Sequence, residues 1–234
     1  MFANRYLFIP AYLCHNFYML ENLDHVFRRD YRVSELSESS VPNNPFKQFE
    51  ISFNDIVETK VKQPNSMILS TVSTDGVPSN RVVLLKHFDD TGFVFFTNYT
   101  SAKGKDILTN SNVSLLFFSI DLERQIHVQG AAQKISYEES NSYFKSRPIK
   151  SQIAAISSHQ SSRVSSRETL ENDYKVVFSK YESKSPECPV FWGGYKVVPH
   201  HFEFWQGRPS RLHDRVCYEL NKESNAWSVY RKSP

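Results

Sequence analysis

Glycine is scarce in this chain, with only 7 among 234 residues, less than half of the ~7% found in an average protein. No two glycines are spaced as G-x-G and none opens a G-x-x-x-x-G-K loop, which excludes the dinucleotide fingerprint and the Walker phosphate loop. Cysteine is scarcer still. Cys14, Cys188 and Cys217 are odd in number and far apart, so neither a disulfide framework nor a Cys-x-x-Cys zinc or redox site is supported, and a reducing compartment, cytoplasmic or mitochondrial, is expected. Runs of one charge are missing as well: Lys+Arg 28 against Asp+Glu 25 leaves +3, and nothing in that pattern marks a nucleic-acid or membrane-surface field. The eight histidines include no His-Glu-x-x-His. His200 and His201 are adjacent, without the spacing that turns two ligands toward one metal, so packing or surface histidines on a strand are expected and no metal site.

What is present is apolar and aromatic residue, 40% and 14% of the chain, enough for one globular domain with a sizeable core. Residues 1–20 (MFANRYLFIPAYLCHNFYML) are unlike the rest. Pro10 interrupts the apolar run, no Ala-x-Ala follows, and Arg and Ser are too few for a transit peptide. The run is also too broken for a spanning helix, and it reads as an extension of unknown role. Residues 21–45, with Arg28, Arg29, Asp30, Tyr31 and the Ser/Glu-rich SELSESSVPNN, lack an apolar period and read as an arm. Residues 46–234 form the domain.

Asn44-Pro45 offers an N-cap with proline at the first helical position, and Phe46, Phe49, Phe53, Ile56 and Val57 recur at helical spacing until Pro64. The period then shortens to strand-like runs, SMILSTVS, RVVLLKHF, GFVFFTN and VSLLFFSI, punctuated by Asp75-Gly76 and Asp89-Asp90-Thr91-Gly92. A further strand is expected over 124–135, helices over 137–146 and 166–182, and strands over 195–205, 211–220 and 227–231. Strands joined by tight connections, with helices inserted rather than alternating, predict a mainly β protein: a closed antiparallel barrel with flanking helices.

Two constellations suggest chemistry. Tyr143, Arg147 and Ser151 are four apart in YFKSRPIKS, so Tyr143 and Arg147 share a helix face while Pro148 opens a new turn. A phenol, a guanidinium fork and a hydroxyl together suit a phosphate monoester, although a solvated helix end would use the same residues. In RLHDR, Arg211, His213 and Arg215 alternate, and a strand would put all three on one face. Leu212 and Asp214 would then both face inward, which is costly for an unpaired Asp. Arg81 and Lys86 bracket VVLL at opposite parity, so a bulge or two separate ligand groups is required. Ser101, Lys103 and Lys105 sit at the start of an expected short helix, where free N–H groups and cations favour an anion. Gln125, Gln160 and Ser161 add polar groups, and Trp205 in EFWQG adds a large ring.

RVVLLK, ERQIHVQG, YFKSRP, SSHQSSR, FWGGY, EFWQGRPSRLHDR and a terminal Arg-x-Ser-Pro occur in that order. With these motifs the chain, from about Arg28 to Pro234, resembles the pyridoxine/pyridoxamine 5′-phosphate oxidase family. The resemblance implies an FMN-binding split β-barrel of Greek-key type, a homodimer with the flavin in a cleft between subunits, and oxidation of pyridoxamine or pyridoxine 5′-phosphate to pyridoxal 5′-phosphate. In that reaction hydride passes from C4′ to FMN, and O2 is reduced to hydrogen peroxide. By position, Arg81, Val82, Val83, Leu84, Leu85, Lys86, Phe96, Thr97, Lys103, Gln125, Gln160, Ser161, Trp205 and Arg215 match the family's FMN contacts. Lys86, Tyr143, Arg147, Ser151, Arg211 and His213 match its substrate contacts, with Arg211 and His213 nearest the reacting carbon. Arg28, Arg29, Asp30 and Tyr31 match an arm, Arg-Arg-Glu-Tyr in relatives, that folds over the substrate.

The chain departs from the family pattern at Ala102, where an arginine usually precedes the lysine of the FMN phosphate site. Lys105 is expected to replace that arginine only in part, since an ammonium lacks the bidentate fork. Lys232 stands where a leucine is usual, and Asp30 where a glutamate is. Two other readings use the same barrel: a non-catalytic protein that binds and delivers pyridoxal 5′-phosphate, and a flavin reductase. The Tyr143, Arg147 and Ser151 set argues against the reductase.

Overall fold

Asn44 caps the first helix as its place before Pro45 suggests: its Oδ1 accepts the Phe46 N–H at 2.9 Å, and α1 runs over Pro45–Glu58. The computed structural model describes residues 31–181 and 184–234. The apolar extension, Cys14, and the arm residues Arg28, Arg29 and Asp30 lie outside the described residues. α1 stops short of Pro64, where Lys60 takes φ 59°. Its apolar stripe turns Phe49 into a cluster of rings, with centroids 4.7 Å from Phe93, 4.9 Å from Phe88 and 5.1 Å from Phe117. Burying such a ring stabilises by about 1.5–3 kcal/mol, and its edge-on neighbours add about 0.5–1.5 kcal/mol, so Phe49 fastens the helix to three strands at once.

Among the described residues nine strands follow: β1 (Ser66–Val72), β2 (Pro78–Leu84), β3 (His87–Asp89), β4 (Gly92–Asn98), β5 (Asn112–Ser119), β6 (Arg124–Lys134), β7 (Trp192–Gln206), β8 (Asp214–Asn221) and β9 (Ala226–Arg231). Four more helices interrupt them: α2 (Ala102–Thr109), α3 (Tyr137–Ser146), α4 (Ile149–Ser157) and α5 (Arg167–Ser179). All pairs are antiparallel, in the order β2-β1-β5-β6-β7-β4-β3, with β8 on the far half of β7 and β9 on β8. β2 and β3 lie at opposite ends of this path, yet only Leu85 and Lys86 separate them. The sheet must therefore curl until its ends meet, which is the split barrel. Alternation along β5, β6 and β8 sends Leu115, Phe117, Ile126, Val128, Val216 and Tyr218 to its interior.

The expected strand RVVLLKHF is two strands. Leu85 donates its N–H to Asn65 O at 2.8 Å, and Lys86 donates to Val94 O at 2.9 Å, so the chain changes neighbours between these residues. The opposite parity of Arg81 and Lys86 is resolved by that switch rather than by a bulge. α4 is a separate helix that begins directly after Pro148, where the sequence marks the opening of a new turn. The expected strand over 211–220 begins only at Asp214, because Pro209–Arg211 is a short 3-10 turn in which Ser210 and Arg211 take φ 58° and 62°. No helix among the described residues is long and apolar enough to cross a membrane.

Candidate active site

A cleft of about 780 Å³ opens between the switch at Leu85–Lys86, the end of β4, the start of α2, and the α3–α4 pair. Arg81, Val82, Val83, Leu84 and Lys86 line one side, Phe96, Thr97 and Lys103 the floor, and Tyr143, Arg147, Ser151, Gln160 and Ser161 the other side. Leu85, between Leu84 and Lys86, is instead buried in the core.

The cleft has two cationic ends. At one, Arg81 donates to Thr71 Oγ1 at 2.7 Å and to Leu69 O at 3.2 Å, and Thr71 in turn donates to Asp106 at 2.6 Å. Beside it Lys103 bonds the neutral oxygen of Gln160 at 3.1 Å, which also accepts from Thr97 Oγ1 at 3.2 Å. Burial and the charge of Arg81 hold the Lys103 ammonium below the usual lysine range, so an anion placed here relieves a strain already present. Ser101 caps α2, and the free N–H groups of its first turn add to the field. Ala102 and Lys105 are exposed, and neither lines the cleft.

At the other end Phe96, Tyr143 and Trp192 stack, with Phe96 and Tyr143 centroids 3.9 Å apart and Trp192 5.4 Å from Phe96. Arg147 lies over Trp192 at 4.8 Å, and Lys86 reaches within 5.9 Å of the Tyr143 ring. Arg147 does not share the α3 face with Tyr143 as the spacing suggests. It is the residue after the helix, with φ −76° and ψ 151°, because the proline that follows disfavours the helical conformation. One guanidinium nitrogen, Nη1, is buried without a hydrogen-bond partner among the described residues. A buried charged donor left unmade is costly, so this atom is set for an acceptor that comes from outside the chain.

The remaining candidates form a second group on the outer face of the sheet. Gln125, Trp205 and Arg215 are register partners across β6, β7 and β8. Their neighbours Ile126, Phe204 and Val216 fill the barrel core, so the row faces away from it. His213 stacks on Trp205 at 4.7 Å, and Tyr31 stands edge-on to both, at 5.9 Å from Trp205 and 5.6 Å from His213. Arg211, His213 and Arg215 do not share a strand face: Arg211 ends the turn, His213 precedes β8, and only Arg215 is on the strand. Nor is Asp214 unpaired, since it meets Arg231 at 2.7 Å and Arg208 at 3.5 Å and accepts the Leu36 N–H at 3.1 Å.

Arg215 is held bidentately by Glu203 at 2.9 and 2.8 Å, next to Lys232 at 3.5 Å. Lys232 thus replaces a usual leucine with a further cation for Glu203. His201, Glu203 and Cys217 also gather their ligand-capable atoms within 4.8 Å, but burial and Glu203 push the Cys217 thiol up to about 11, and Arg215 already occupies the Glu203 carboxylate. The group is an ion-pair network.

His213 accepts the Arg208 N–H on Nδ1 at 3.1 Å. Burial and the nearby Arg211 hold its pKa below the usual histidine value, so the neutral ring carries its proton on Nε2.

Trp192, Asn98, Ala154, Ala155 and Ser158 also line the cleft and were not among the expected site residues. A signal for Trp192 was present in FWGGY. A Cβ on Gly193 would overlap the Tyr99 hydroxyl, so the paired glycines mark a close approach beside the tryptophan.

Comparison with known proteins agrees with this geometry. A family model described as pyridoxamine 5′-phosphate oxidase matches residues 53–181, and one described as the pyridoxine 5′-phosphate oxidase C-terminal dimerisation region matches residues 192–234. A protein of Rippkaea orientalis named pyridoxine/pyridoxamine 5′-phosphate oxidase is 50% identical over 88% of this chain and 97% of its own length. A protein of the same name from Paraburkholderia phytofirmans is 46% identical over the same shares. Among solved structures, PhzG from Burkholderia lata in complex with tetrahydrophenazine-1-carboxylic acid has a TM-score of 0.80 at 26% identity, covering 86% of this chain and 99% of that one. A pyridoxamine 5′-phosphate oxidase-related, FMN-binding protein from Nostoc punctiforme shares the fold, with a TM-score of 0.65 at 16% identity over 86% of this chain and 100% of its own.

Proposed function

This chain belongs to the pyridoxamine 5′-phosphate oxidase family, and on that premise we propose that it oxidises pyridoxamine 5′-phosphate and pyridoxine 5′-phosphate to pyridoxal 5′-phosphate, with FMN as cofactor and O2 as final acceptor. The observation that carries this reading is the half-buried Arg147 guanidinium, whose buried Nη1 has no hydrogen-bond partner among the described residues, beside Tyr143, Ser151 and Lys86. The cleft fits two anions, one at each end, as a flavin phosphate and a substrate phosphate require. Its volume falls within the range of small-molecule sites.

FMN, when bound, would supply the hydride acceptor and a route for the electrons to O2, giving hydrogen peroxide; with the amine substrate, water is taken up and ammonia released. Arg81, Lys103 and the α2 N-terminus hold the cofactor phosphate, and Thr97, Gln160 and Ser161 supply neutral bonds around it. Lys86, Tyr143, Arg147 and Ser151 hold the substrate phosphate. Gln125, Trp205, Arg215, Arg211 and His213 lie on a separate face, and the dimerisation region that carries most of them points to a second copy bringing them over the cleft. His213 with Nδ1 already engaged presents an Nε2–H, so it donates to the C4′ substituent and orients it rather than accepting its proton. Arg211, always charged, polarises the same group.

The test is turnover of both phosphates by FMN-loaded protein with peroxide recorded. Stoichiometric peroxide and pyridoxal 5′-phosphate are expected. The TM-score to PhzG favours a second reading, oxidation of a carboxylated polycycle, and turnover of such a compound without turnover of either phosphate would establish it. Binding of pyridoxal 5′-phosphate without turnover of any of these would identify a carrier.

Ala102→Arg is expected to tighten FMN by about 1–2 kcal/mol, because the added fork starts from the first turn of α2, next to a phosphate site already assembled. Fluorescence titration of the apoprotein at low and high salt measures it. Equal affinities at low salt would show that the arginine finds no phosphate within reach.

A further inference from the structure

The motif ERQIHVQG contributes Gln125 to the second group, but its first residue has no part in the reaction as described. Glu123 sits in the turn between β5 and β6, takes φ 51°, and is 9% exposed. Its carboxylate oxygen accepts two backbone N–H groups of the arm, from Arg32 at 2.9 Å and from Val33 at 3.2 Å. Its own carbonyl accepts the Gly207 N–H at 2.8 Å, which ties the same residue to the end of the strand that bears Trp205. Hydrogen bonds to an ionised acceptor are the strong ones, and these two grip the arm by its main chain, whatever its side chains.

The gripped residues come directly after Tyr31. The Tyr31 ring stands against Trp205 and His213, and a Cβ on Gly207 would collide with it. Farther along, the arm is held by Asp214 on the Leu36 N–H and by two surface pairs, Arg208 with Glu35 and Arg231 with Glu38. Arg231 holds Glu38 bidentately and also donates to Leu36 O at 3.0 Å, but all of these contacts lie beyond the point where the position of Tyr31 is set. We propose that Glu123 is a positioning residue: by holding the arm at Arg32 and Val33 it fixes Tyr31 over His213, and thereby sets how tightly the substrate ring is enclosed. The proposal rests on the reading of His213 as a substrate ligand.

Three variants test it. Glu123→Ala removes the acceptor, Glu123→Gln keeps an oxygen in the same place, and Val33→Pro removes one donor from the arm while leaving the barrel untouched. Glu123→Ala is expected to raise the KM for pyridoxamine 5′-phosphate about ten-fold, with kcat within about two-fold, and to speed amide exchange at Arg32 and Val33 by at least about ten-fold. Glu123→Gln should restore both to within about three-fold, and FMN affinity should stay level throughout. Val33→Pro should raise KM in the same direction by a smaller factor, and it decides the matter if Glu123→Ala does not fold.

Faster exchange with an unchanged KM would make Glu123 a structural tether only, and unchanged exchange would remove the grip itself; either result overturns the proposal. If the wild-type protein oxidises neither phosphate, the proposed function falls. The role of Glu123 is then read from the same exchange data and from fluorescence titration with pyridoxal 5′-phosphate in place of KM.

Discussion

Arg147→Ala is expected to raise the apparent KM for pyridoxamine 5′-phosphate by roughly ten- to a hundred-fold while the protein continues to bind FMN. The guanidinium lines the cleft beside Tyr143, one of its nitrogens is buried without a partner among the described residues, and its carbon lies 4.8 Å from the centre of the Trp192 ring. Losing one member of a charge-assisted pair costs about 1.5–3 kcal/mol, and that loss falls on the substrate phosphate. Arg147→Lys should recover only part of it, because a point charge cannot replace a fork. Steady-state kinetics together with flavin titration check the assignment. Loss of flavin from the variant with substrate affinity unchanged would mean that the two anionic ends have been exchanged.

Two inactive variants should regain activity when they share a dimer. One chain carries Lys86→Ala and Arg147→Ala, and the other carries Arg211→Ala and His213→Ala. If each site takes its cleft from one copy and its Arg211–His213 element from the other, a mixed dimer has one site with all four changes and one site with none. Random mixing makes half the dimers mixed, so about a quarter of the wild-type activity should return. Co-expression with two different affinity tags isolates the mixed species. A mixed dimer as inactive as its parents would place both groups in one site on one chain.

Elements with a strong local signal were legible in the sequence. GFVFFTN is β4 from end to end, and Tyr137–Ser146 is α3, with Ser136 and Glu139 forming a capping box at its start. The cleft residues were legible too, through Tyr143, Arg147 and Ser151, although the reason first attached to them, a common helix face, holds only for Tyr143. RLHDR was misread because Ser210 and Arg211 adopt positive φ, which nothing in serine or arginine announces, and the turn they make delays the strand. The pairing of Asp214 with Arg231 and of Arg215 with Glu203 joins residues that periodicity cannot connect, so the apparent cost of an inward Asp disappears only when β8 and β9 are seen side by side. Glu123 was invisible for a related reason: it binds the main chain of the arm, and main-chain donors leave no mark on a sequence.

β7 carries β6 along one edge, and β4 followed by β8 along the other, and it is made late. While the ribosome extends the chain from Asn98 to Trp192, β4 has only the short β3 beside it, and β6 has only β5. Both offer a bare row of N–H and C=O groups, and β4 in particular is a nearly unbroken apolar segment, the kind of edge that recruits other chains. The nascent barrel therefore cannot seal as it emerges; it closes after synthesis has passed Gln206, in a step governed by contacts between segments far apart in the chain, which are slow to form. Until then the bare edge of β4 is open to pairing with a neighbour on the same polysome.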